Sequence, residues 1–146
     1  MATYFVASGG SNTSPYDTRA KAATSLATAL AAATSAGDIV VIQYNAVPST
    51  DAELAADTTY SVSPNVSVIS ASYDGGSAWT PTEMGTGNWI GNRTANRGVT
   101  INGGGSAYVY GLTIRLSGST ADNIGLGLVT GSDQTYESCY FWHGNT

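Results

Sequence analysis

The sequence predicts an all-β chain, wound as a parallel β-helix and closed on its N-terminal side by one α-helix. Three observations predict it: short β-prone segments parted by Gly, Ser, Asn and Asp; a recurrence at one fixed interval within two pairs of those segments; and one alanine-rich helix that feeds straight into a strand.

In chain order, Tyr4–Val6 reads as a first short strand. Ser14-Pro15-Tyr16-Asp17 then offers a capping box with proline at the first helical position. Ala22, Ala23, Leu26, Ala29, Leu30 and Ala33 recur at steps of three and four, while Thr24, Ser25, Thr28 and Ser35 fall largely outside that stripe. Gly37 supplies a left-handed stop, so the helix is expected over about 15–36. Ile39-Val40-Val41-Ile42 is apolar at successive positions, as a strand covered on both faces would be.

Further strands are expected at Val66–Ser70, Val99–Ile101, Tyr108–Leu116, Ile124–Val129 and Thr135–Trp142. The step from Ile39–Ile42 to Val66–Ile69 equals the step from Gly111–Ile114 to Ser138–Phe141, and a fixed period of this size points to a solenoid. The Gly/Asn/Trp-rich segment Asp74–Gly98 accounts for the longer interval between the pairs and reads as a protruding loop, about 74–98. In Tyr108–Leu116, alternation sends Tyr108, Tyr110, Leu112, Ile114 and Leu116 inward and Val109, Gly111, Thr113 and Arg115 outward. A shift by the same interval then places Cys139 and Phe141 inside and Tyr140 and Trp142 outside. Stacked turns of this kind pair strand on strand around a narrow apolar interior, and the small-sided helix suits the opening of the first turn, whose edge needs a cover. The chain 1–146 is thus read as one domain, with coils over about 39–146, open to continuation past Thr146 or to covering by another subunit.

Composition narrows the functional classes. Net charge is −5 and only 10% of residues are charged, with Arg19, Lys21, Arg93, Arg97 and Arg115 scattered, so no basic stripe exists for nucleic acid. No apolar run is long enough to span a bilayer, and Met1-Ala2-Thr3-Tyr4 lacks the charged start of a secretory signal, which predicts a chain made in a cytoplasm unless a leader has been removed. Cys139 is the single cysteine and excludes an internal disulfide or a cysteine-based metal cluster. Asn12-Thr13-Ser14, Asn65-Val66-Ser67 and Asn92-Arg93-Thr94 match the glycosylation pattern, which arises by chance in a chain this rich in Ser, Thr and Asn.

Tyr4-Phe5-Val6-Ala7-Ser8 with its Gly/Ser turn, the amphipathic helix, Ala36-Gly37-Asp38-Ile39-Val40-Val41 and Ala107–Ile114 together resemble the start of pectate-lyase-like right-handed β-helix proteins. Within that superfamily the chain is most similar to N-terminal portions of β-helix proteins carried by tailed bacteriophages, in tailspikes or on the head. The resemblance spans most of the chain and implies a right-handed winding; its motifs mark fold, and fold alone does not give function.

Members of that superfamily that cut acidic polysaccharides use clustered acids for calcium with a basic residue, or paired carboxylates facing each other across one bond. The candidates here are Asp122, Asp133 and Glu137 with Arg115, but Asp122 and Asp133 lie in turn-like stretches that an Asx turn explains. Asp51, Glu53 and Asp57 form an acidic cluster read as a solvated loop, since no calcium-loop spacing accompanies them. Cys139 and His143 tempt a nucleophile-and-base reading, yet a regular strand holds them about 13 Å apart, and Cys139 reads as a small core residue. The strongest signal is aromatic. Trp79 and Trp89 sit in a loop that cannot form its own core and need shelter against the protein or a partner, and Tyr140 and Trp142 point outward from a strand.

The expectation is therefore a non-enzymatic structural component of a phage-like virion, in head decoration or tail, assembled in the host cytoplasm. Its partners would be other virion proteins or copies of itself in a homo-oligomer such as a trimer, with no cofactor, metal, nucleic acid or membrane. The contact candidates are Trp79, Trp89, Tyr140 and Trp142. Two alternatives stay open: a polysaccharide-degrading or glycan-binding tailspike-type protein, and an adhesin module on a cell surface.

Overall fold

The computed structural model describes residues 1–73, 78–92, 98–103, 105–117, 126–128 and 133–144. The strands are β1 (Thr3–Val6), β2 (Ile39–Gln43), β3 (Thr58–Val62), β4 (Ser67–Tyr73), β5 (Trp79–Pro81), β6 (Ile90–Asn92), β7 (Val99–Gly103), β8 (Ala107–Tyr110), β9 (Thr113–Ser117), β10 (Leu126–Leu128), β11 (Gln134–Glu137) and β12 (Tyr140–Gly144). Two short helices, α1 (Leu26–Ala32) and α2 (Ser49–Ala52), flank β2. The first sheet runs β1-β2-β4-β8-β11 in parallel, with β5 antiparallel on β4; the second is β3-β7-β10 and the third β6-β9-β12, both parallel. From β6 onward the chain visits the third, second and first sheets in unbroken rotation.

The register repeats the interval read from the sequence wherever the last two rounds meet: Leu126 lies beside Val99, Thr135 beside Tyr108 and Tyr140 beside Thr113. Between β2 and β4 the step is longer by one, with Val40 beside Val68 and not beside Ser67 as the sequence alignment predicts. The physical reason is the pleat. A slip of one would pair Val40 with Ser67 and turn β4 inside out, whereas the observed register keeps Val40 and Val68 buried together.

One core draws on all three sheets, through Val40, Val68 and Val109 from the first, Tyr60, Val99 and Ile101 from the second, and Ile90, Ile114 and Leu116 from the third. A smaller cluster of Phe5, Ala7, Ala22, Val41 and Ala71 lies on the other face of the first sheet. The apolar run in β2 is explained by both: Val40 and Ile42 enter the large core and Val41 the small one.

The expected strands Tyr108–Leu116 and Thr135–Trp142 are each two strands meeting at a corner. Gly111 turns the first with φ +71°, and Ser138, its equivalent in the next round, turns the second with φ +52°. The corner shifts the alternation, so Ala107 and Val109 are the inward residues of β8, against expectation, while Leu112, Ile114 and Leu116 are buried as expected. Gly37, Asn65 and Gly105, also at positive φ, each stand two residues before a first-sheet strand.

The helix is shorter than expected. All six residues of the Ala/Leu stripe are buried, but α1 covers only Leu26–Ala32, with a 3-10 turn at Arg19–Lys21, and not 15–36. Ser25 is the true N-cap, its hydroxyl accepting the Thr28 N–H at 3.2 Å. Ala23 is instead claimed by the edge of β1: its N–H donates to the Phe5 carbonyl at 2.8 Å and the Ala7 N–H donates to the Ala23 carbonyl at 3.1 Å, while Ala22 closes the 3-10 turn by donating to the Arg19 carbonyl at 3.2 Å. Edge pairing outweighs the helical preference of this alanine.

Asp74–Gly98 is likewise not a simple loop. Its described part holds β5, which folds back on β4, and β6, the first strand of the third sheet. Ile90 is buried and the Asn92 amide donates to the Leu54 carbonyl at 2.7 Å, so this short strand anchors with one apolar side chain and leaves little trace in the composition. The strand β3 also escaped the sequence reading, although Tyr60 and Val62 alternate inward along it.

Candidate contact site on the third sheet

The parallel register of the third sheet sets Gly91, Arg115 and Trp142 side by side on adjacent strands, and Thr113 beside Tyr140. The Arg115 guanidinium carbon lies 5.2 Å from the Trp89 ring centroid and 4.2 Å from that of Trp142, within cation–π range of both indoles. Trp89 is fixed by its Nε1–H, which donates to the Ala52 carbonyl at 2.9 Å. Gly91 has to be glycine: a Cβ there would lie 2.1 Å from the Arg115 carbonyl oxygen, and its φ is +137°.

Beside this stack runs a groove in two connected stretches. One, about 180 Å³, is lined by Thr86, Thr113, Arg115, Tyr140 and Trp142. The other, about 380 Å³, shares Thr86, Thr113 and Tyr140 and continues to Glu83 and Cys139. Its wall, the segment after β5, is pinned by backbone bonds from Thr82 N–H to Ser70 O at 2.9 Å and from Met84 N–H to Gly111 O at 2.8 Å. The Thr113 hydroxyl adds a bond to the Met84 carbonyl at 2.9 Å.

Three of the four contact candidates therefore meet on one sheet. Trp89 and Trp142 clasp Arg115, and Tyr140, 51% exposed, forms the groove rim. Trp79 lies elsewhere. It shelters against the small cluster on the first sheet beside Tyr73, whose hydroxyl donates to the Val41 carbonyl at 2.8 Å and whose ring packs edge-on to Phe5 at 5.4 Å. Arg115 was legible only as a lone base; the register across β6, β9 and β12 is what makes it the centre of the cluster.

The catalytic candidates are not gathered. Asp133 is exposed ahead of β11, and Glu137 sits on the first sheet with its carboxylate accepting the Tyr108 hydroxyl at 2.8 Å; Asp122 lies outside the described residues. That bond is the main cause that raises the Tyr108 pKa. The Cys139 thiol is half-buried and its pKa is pushed up by desolvation, with Sγ near the Val109 and Glu137 carbonyls at 3.6 and 3.4 Å. His143 pairs Leu116 through the backbone of β12, and its side chain lies outside the described residues.

The acidic cluster is corrected in one member. Asp51 is not solvated; it is 2% exposed and accepts the Leu26 N–H at 2.8 Å and the Tyr60 hydroxyl at 3.0 Å, joining α1, α2 and β3. Glu53 and Asp57 are exposed, and among the described residues no three His, Cys, Asp or Glu side chains assemble as a metal site.

No family model, curated protein or solved structure matches the chain.

Proposed function

We propose that the chain is a right-handed parallel β-helix of the pectate-lyase-like kind, acting as a non-catalytic structural and contact module of a phage-like virion. The observation that carries this reading is the register repeated at one interval across three parallel sheets, on which β9 and β12 present Arg115 and Trp142 as one rigid face. A rigid stack of strands holds such a face without an ordering cost at the moment of contact, which suits a permanent part of an assembly. Glu137 is engaged by the Tyr108 hydroxyl on the first sheet and does not line the groove, which favours contact over hydrolysis.

The test is location. Immunogold labelling of purified tailed particles with an antibody to this chain should decorate particles at a fixed position on the head or tail. Particles that remain unlabelled while the free chain is labelled in the same lysate would remove the virion reading. The glycan-binding alternative is favoured by Tyr140 and the Trp142 indole at the groove. A panel of acidic and neutral polysaccharides, followed by tryptophan fluorescence and by release of reducing ends, separates binding from cleavage.

A further inference from the structure

We propose that the groove beside Arg115 receives a polypeptide segment of a partner protein, with a carboxylate side chain at the Arg115 end and an N–H or ammonium donor at the Glu83 end. The proposal rests on the reading of the third sheet as a contact face and names what that face recognises.

Arg115 carries a charge that no acidic group among the described residues answers. Arg115 is half-buried between two indole rings, neither of which carries a negative charge. The ion pairs among the described residues are those of Asp38 with the N-terminal ammonium and of Lys21 with Asp17, so Arg115 takes part in none. Its Nε is buried with no hydrogen-bond partner. A guanidinium held in this way has lost part of its water without gaining a counter-charge, and an incoming carboxylate supplies one through two parallel N–H donations.

The rest of the groove selects the class of ligand. Glu83 lies at the far stretch, beyond Thr86, Thr113 and Tyr140, so the groove is positive at one end and negative at the other. The hydroxyls of a neutral sugar can hydrogen-bond at both ends but bring no counter-charge, and an acidic sugar brings one to Arg115 alone. A polypeptide carries both complements, a side-chain carboxylate and donors from the backbone or a lysine. Arg, Trp and Tyr are also the residues that anchor protein interfaces. Tyr140, 51% exposed, adds apolar contact area at the rim.

The experiment uses the full chain, labelled with nitrogen-15, and short blocked peptides in which glutamate and lysine are parted by glycines. Twins carry glutamine for the glutamate or for the lysine, and oligogalacturonate and a neutral galactose oligomer complete the set. The resonances followed are the Trp89 and Trp142 indole N–H groups and the Arg115 Nε–H. Saturable shifts are expected with the glutamate–lysine peptide, with affinity about tenfold weaker for the glutamine-for-glutamate twin. Arg115→Gln should abolish that discrimination, Glu83→Gln should abolish the preference for lysine, and added salt should weaken the wild-type complex.

If Arg115→Gln fails to fold, the wild-type preference between twins and its salt dependence decide the matter. Equal affinity for the twins, tighter binding of oligogalacturonate, or no saturable shift with any probe overturns the proposal. Peptide binding by a chain that labels no particle would leave the groove's chemistry standing and remove the virion reading; labelled particles with no peptide binding would do the reverse.

Discussion

Asp51 shows how much one side chain can join. Its carboxylate is bonded to the first turn of α1 and to the Tyr60 hydroxyl, yet burial raises its pKa against the lowering effect of both bonds. A folded pKa above the unfolded value gives stability that is fully present below the unfolded pKa and is lost as pH rises through the folded one. Chemical denaturation of the wild type and Asp51→Asn across pH should therefore show the wild-type advantage shrinking as pH climbs from 3.8 toward neutrality. A difference that grows with pH would reverse the sign of the burial effect. Asp51→Ala leaves a donor on Leu26 and another on Tyr60 without partners, and at neutral pH should cost roughly 1–3 kcal/mol more than Asp51→Asn. Nothing in Ser49–Thr58 as a sequence separates Asp51 from Glu53 and Asp57. Burial depends on the meeting of α1, α2 and β3, which no local pattern records.

At the scale of the element, the stripe from Ala22 to Ala33 was legible as a buried face because burial depends on apolar spacing, and all six residues are in fact buried. Its secondary structure was less legible, because β1 competes for Ala23 with backbone bonds that local propensity cannot weigh. Leu30→Asp should cost several kcal/mol by placing an unpaired charge against Tyr60 and Val62, whereas Ala27→Asp, on the exposed face, should be nearly silent. Equal losses in thermal unfolding would mean that α1 does not turn Leu30 into the core. Corners make a second test. Ser138 adopts the left-handed conformation that Gly111 adopts one repeat earlier, so Ser138→Gly should gain about 1 kcal/mol and Gly111→Ala should lose at least as much, its Cβ meeting the Glu83 Cα at 3.2 Å. Such corners explain why alternation failed between Tyr108 and Ile114: the period of two holds along each strand and resets where the backbone bends.

At the scale of the whole molecule, the two edges of the first sheet are unlike. The outer side of β1 is closed by its own chain, with the Phe5 N–H donating to the Tyr16 carbonyl and the Ala23 N–H to the Phe5 carbonyl, both at 2.8 Å. Strands β2 and β4 have parallel neighbours on both sides, and their Val40, Ile42 and Val68 side chains are buried. The sheet order ends at β11, which pairs with β8 alone among the described residues. In register with the buried Val109 and Ile114 stand Tyr136, half-buried, and Phe141, 44% exposed, packed edge to face with ring centroids 5.8 Å apart. Opening β11 and β12 therefore exposes less new apolar surface than opening β2 and β4, and breaks pairing on one side only. Native-state hydrogen exchange should find the amides of Val41, Ile42 and Val68 opening only with global unfolding. Those of Thr135 and Tyr140, on the sides of β11 and β12 that face β8 and β9, should exchange at least about a hundredfold faster, a gap of roughly 3 kcal/mol. The repeat was legible from the spacing of Leu112–Ile114 and Cys139–Phe141, but this gradient was not, since it depends on which strands have two neighbours. Equal protection across β2, β4, β11 and β12 would show that the three sheets open as one cooperative unit. Faster exchange at β2 than at β11 would place the weak edge on the side that the backbone of Tyr16 and Ala23 closes.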